Sequence, residues 1–117
     1  MARGERRHDG GPEYELKEVH TLARLSSIHF TTKARDEATM LLPSAVGVPA
    51  HAIRNTLLSL RPEHWRFAER NDRGCVDVYR IEKFDRVIWV KLKVEMRLSR
   101  ETVILISFHR FDDEIPV

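Results

Sequence analysis

A single cysteine, Cys75, stands among 117 residues, so the chain has no internal disulfide and no CxxC or Cys/His spacing for a zinc site. No apolar run approaches the roughly 18 residues that a membrane-spanning helix needs. The N-terminus lacks the apolar core of a secretory signal. A cytoplasmic protein without a membrane partner is therefore expected. An excess of one charge is also missing: 20 basic and 18 acidic residues leave a formal +2, too little to announce a polyanion binder. There is no phosphate-cradling Walker loop, no G-x-S-x-G elbow and no HExxH helix, and neither a metal nor an organic cofactor is expected.

What is present describes one ordinary domain. An apolar share of 42% and a charged share of 32% suit a chain of this length that buries its own core. Residues 1–11, MARGERRHDGG, mix glycine and charge with nothing to bury and read as a disordered arm, leaving residues 12–117 as a single α+β domain. Tyr14, Leu16, Val19, Leu22 and Leu25 recur at helical spacing after Pro12. A short extended piece, Ile28-His29-Phe30, follows. Thr31 or Thr32 then caps a second helix, KARDEATMLL, which Pro43 ends. Pro49 opens a third, AHAIRNTLLSL, with Ala50, Ile53, Leu57 and Leu60 on one face. EHWRFAER reads as one more turn.

The period then changes. CVDVYRI, RVIWVKLKVEMRL and ETVILISFHRF read as three strands joined by short hairpins, so helices are expected on one face of a small antiparallel sheet. In the second strand Ile88, Val90, Leu92, Val94, Met96 and Leu98 form one face, and Trp89, Lys91, Lys93, Glu95 and Arg97 the other. An indole on the charged side is the odd residue. In the third strand Ile104, Ile106 and Phe108 are expected against the helices, with Val103, Leu105, Ser107 and His109 opposite. That would gather His109, Trp89 and Lys91 on one surface, where an unpaired base stacks on indole and cations hold phosphate. RNA needs no metal to be cut, since its 2′-hydroxyl attacks the adjacent phosphorus. The site needs proton donors and acceptors and cations for the phosphorane. The residues alone leave two further readings open: His109 as a polar strand end, and Trp89 as a contact for a partner or a homodimer. The tail FDDEIPV, with Asp112, Asp113 and Glu114, offsets the basic lean of residues 91–101.

The chain order YELKEVHTLARL, HFTTKARDEATMLL, AHAIRNTLLSLRPEHWRF, DVYR, VIWVKLKV and VILISF resembles the MqsR-type mRNA interferase toxins, from about Tyr14 to Phe108. The resemblance implies a RelE-like α+β fold, metal-independent cleavage of single-stranded mRNA, and a cognate antitoxin protein that binds the toxin. It places Arg66 of EHWRF where the family has a lysine, Val76 where it has a glutamine, Trp89 where it has a tyrosine, and His109 where it has a lysine after SF. Catalytic roles are then implied for His109, Arg66 and Tyr79, and RNA contacts for Trp89, Lys91 and Arg80.

Overall fold

A computed structural model describes residues 5–41, 49–72 and 74–110. Pro43 with the loop after it, and the acidic tail 111–117, lie outside the described residues. In chain order the elements are β1 (Glu5–Arg7), α1 (Leu16–Arg24), β2 (Ile28–Phe30), α2 (Thr32–Leu41), α3 (Pro49–Ser59), a 3₁₀ turn (Pro62–His64), β3 (Trp65–Asn71), β4 (Gly74–Lys83), β5 (Arg86–Arg97) and β6 (Arg100–Arg110).

The three helices form where the apolar spacing put them. Val19, Leu22 and Ala23 face inward from α1, Ala34, Ala38 and Leu41 from α2, and Ile53, Leu57 and Leu60 from the α3 segment. Thr31 is the cap of α2: its hydroxyl accepts the Ala34 N–H at 3.1 Å, satisfying one of the donors that a helix start leaves over. The helices pack on one face of the sheet, against Tyr79 and Ile81 of β4, Ile88, Val90 and Leu92 of β5, and Val103, Leu105 and Phe108 of β6.

The architecture is α+β as expected, but the sheet is neither small nor purely antiparallel. Six strands run in the order β1-β3-β4-β5-β6-β2, and β2 joins β6 in parallel. Two stretches expected otherwise are strands. Glu5–Arg7, within the presumed disordered arm, pairs with β3, and WRFAERN, expected as a helical turn, is β3 itself. Both belong to the charged side of the sheet, where the alternation that marks a strand is hidden by basic residues. A register shift at Arg66, between Trp65 and Phe67, breaks the period of β3 further.

The DVYR segment has a structural use. The buried Asp77 carboxylate accepts the Glu13 and Tyr14 N–H groups, each at 2.9 Å, and the Trp65 indole N–H at 3.1 Å. The Tyr14 hydroxyl donates to the Cys75 carbonyl at 2.7 Å. These bonds tie the approach to α1 onto β3 and β4. Burial raises the Asp77 carboxyl above its usual range, and the donated N–H bonds oppose that rise.

Two tight hairpins close the antiparallel part. Phe84 and Asp85 (φ 57° and 58°) and Leu98 and Ser99 (φ 51° and 66°) take left-handed backbone, as a two-residue hairpin with the mirror-image turn requires.

Candidate nucleic-acid interface

The face of the sheet away from the helices carries three cross-strand rows. Arg80, Trp89 and His109 are register partners in the first. Phe67, Val78, Lys91 and Ser107 make the second. Arg6, Glu69 and Val76 make the third. The backbone therefore brings together Arg80, Trp89, Lys91 and the position of His109.

The His109 position depends on a bulge. Lys91 pairs with Ser107, but the next residue of β5, Leu92, pairs with Leu105, so Ile106 is an extra residue in β6. The strand therefore switches parity. Val103 and Leu105 sit among the core residues with Phe108, which corrects the expected assignment of Val103 and Leu105 to the other side. It leaves Ser107 and His109 in the rows expected for them. The bulge is pinned from outside: the Thr31 hydroxyl donates to the Ile106 carbonyl at 3.0 Å, and Phe108 N–H reaches a Glu37 carboxylate oxygen at 3.0 Å.

The side chains differ from an open, solvated platform. Trp89 is only 6% exposed and packs in a separate apolar cluster with Phe67 and Val78. Lys91 is 5% exposed, with its ammonium 3.4 Å from Glu69 Oε1. The other Glu69 oxygen accepts from Arg6 Nε at 3.1 Å. Burial pushes the Lys91 ammonium below the usual lysine range, and Glu69 pulls it back. So Lys91, expected as an exposed phosphate contact, is an internal ion-pair partner: a central strand under a packed cluster leaves its stem no solvated path.

Two expected site residues do not join the rows. Tyr79 is fully buried in the helix-side core; its hydroxyl has no hydrogen-bond partner among the described residues, and burial drives the phenol well above its ordinary range. As one residue along from Val78, it must face the opposite way, which removes it as a proton donor to a ligand on the far face. Arg66 lies at the β3 bulge, two strands from β5, its guanidinium held by the Glu63 and Trp65 carbonyls at 2.9 and 3.2 Å.

Glu69, Arg6 and Phe67 were missed by sequence reasoning. Their signal was the period-two run Trp65-Phe67-Glu69, obscured by the shift at Arg66. Among the described residues no three His, Cys, Asp or Glu side chains converge as metal ligands, and no helix is long and apolar enough to cross a membrane. No protein-family model and no curated protein matches this chain.

Proposed function

We propose that this chain is the toxin of a type II toxin–antitoxin pair, with a RelE-like fold, acting as a metal-independent endoribonuclease on single-stranded mRNA. The observation that carries the reading is the register row Arg80–Trp89–His109: positions of a cation, an indole and a histidine share one line across three strands. In this reading His109 moves a proton at the 2′-hydroxyl or the leaving 5′-oxygen, Arg80 holds the phosphate, and Trp89 supports a base. Arg66 would contribute from the edge of the surface. Its test is incubation of the purified protein with a defined single-stranded RNA in EDTA, with product ends mapped. Discrete 2′,3′-cyclic phosphate ends that vanish in His109→Ala support the assignment. Cleavage unchanged in that variant sinks it.

A second reading, a relative that binds RNA or a partner and cuts nothing, is favoured by Tyr79 in the core and Lys91 in an ion pair. Saturable RNA binding without product, with and without translating ribosomes, would select it.

A further inference from the structure

Phe67 is the aromatic neighbour of Trp89 in the apolar cluster on the far face, yet its ring is covered by residues from the N-terminal stretch. The Arg6 guanidinium carbon lies 4.5 Å from the ring centroid. The His8 ring lies 5.3 Å away, tilted 44°. Both are flat, polar-edged π groups against an aromatic ring, Arg6 over its face and His8 tilted beside it, on a surface that an unpaired nucleobase can also use.

The cover sits at the sheet edge, where Arg7 donates to the Gly11 carbonyl at 2.8 Å, meets Glu13 at 3.6 Å with both side chains well exposed, and lies 5.6 Å over the Trp65 ring. The strand β1 is three residues long, lies at the sheet edge and pairs with β3 alone. A two-ended carboxylate, Glu69, secures Arg6. If Arg6 leaves, Glu69 is not stranded, because Lys91 remains beside it at 3.4 Å. Edge elements with few buried contacts are the ones that open locally.

We propose that the face of Phe67 is a second base-stacking position, and that β1 with His8 is a strap which an unpaired RNA base displaces. The inference rests on the RNA reading above and adds a position and a gate to it. With the strap away, the face of Phe67 opens beside the cluster it shares with Val78 and Trp89, adding one stacking position for a single strand. The strap sets affinity by competition: binding is weakened by whatever stabilises β1 on the sheet.

The experiment locks the strap reversibly. Glu5 and Arg70 are register partners, so Glu5→Cys with Arg70→Cys, in a Cys75→Ser background, closes a cross-strand bridge. Binding of a short single-stranded 2′-O-methyl RNA is read by fluorescence anisotropy in oxidised and reduced protein. The oxidised form is expected to bind at least about fivefold more weakly, the loss of one stacked base, and to recover on reduction. Equal affinity in the two forms overturns the strap. Absence of binding in both forms and in the wild type removes the RNA reading itself. An independent arm keeps the full chain: Arg6→Ala with His8→Ala is expected to tighten binding, and adding Phe67→Leu to cancel the gain. Unchanged affinity in the double variant also overturns the proposal.

Discussion

Glu69 and Lys91 meet at 3.4 Å with side chains that are 3% and 6% exposed, and Arg6 completes the group from the sheet edge. Two cations share one carboxylate beneath the surface expected to attract phosphate. The pair therefore holds the far face together rather than serving it as a free positive charge.

Breaking this group should be asymmetric. Glu69→Gln leaves a buried ammonium without its counter-charge and is expected to cost about 3 kcal/mol in urea unfolding. Lys91→Met should cost less, since Glu69 keeps Arg6. The pH dependence follows from the direction of the Lys91 shift. The folded state releases this proton more readily than the unfolded chain, whose lysines hold theirs to about pH 10.4. The unfolded state thus binds more protons just below that value, and stability rises with pH there. Wild type should gain on Lys91→Met as pH rises toward about 10. A gap that narrows over that rise would contradict the assignment.

Tyr79→Phe is expected to stabilise the protein by about 1 kcal/mol, because it removes a buried hydroxyl that has no hydrogen-bond partner among the described residues. RNA cleavage should be unaffected. A fall in cleavage with intact stability would return Tyr79 to the reacting groups.

Arg80 and Lys91 should separate in salt. Each phosphate contact to a single strand contributes about 0.7 to the slope of log affinity against log salt. Arg80→Gln is expected to lower that slope by about this amount. Lys91→Met should leave it unchanged, since Glu69 already neutralises the ammonium. Equal losses would mean that Lys91 leaves Glu69 for RNA.

Leu98 stands at φ 51° and is 91% exposed at the tip of the β5–β6 hairpin. A branched apolar side chain is disfavoured in this backbone region and gains nothing from solvent. Leu98→Asn, which tolerates left-handed backbone, is expected to raise stability by about 1 kcal/mol, seen as a higher midpoint in thermal unfolding. No gain would show that Leu98 has contacts that offset its strain.

Legibility followed the strength of the periodic signal. The three helices and the cores of β4, β5 and β6 were readable because Ile53-Leu57-Leu60 and Ile88-Val90-Leu92 each bury one face, at periods that admit one element type. The edge strand β1 was not, since the three residues Glu5-Arg6-Arg7 carry no period, and β2 was legible as the extended piece Ile28-His29-Phe30 but not in its parallel pairing with β6. The strand β3 was lost where Arg66 shifts its register. In β5, alternation puts Trp89 and Lys91 on one face, and the register adds Arg80 beside Trp89. Alternation is silent, however, about whether that face is bare. That Glu69 reaches Lys91 depends on β3 and β5 both flanking β4, and that Phe67 lies under Arg6 depends on a pairing between segments about sixty residues apart in sequence, neither of which a local pattern reports.

The extra residue in β6 carries a consequence for how such a chain can change over time. The side of the sheet assigned to position 109 is set by counting along the strand from Leu105, with Ile106 as the uneven step. Deletion of that one residue would leave Lys91–Ser107, Val90–Phe108 and Trp89–His109 paired as they are, whereas pairing Ile106 opposite Lys91 would exchange the register roles of Phe108 and His109 while altering neither of them. Substitution would then be the gentle route by which a chain of this kind varies its chemistry. Loss of the bulge with Ile106 retained would be the abrupt one, silencing the site and wounding the core in the same event.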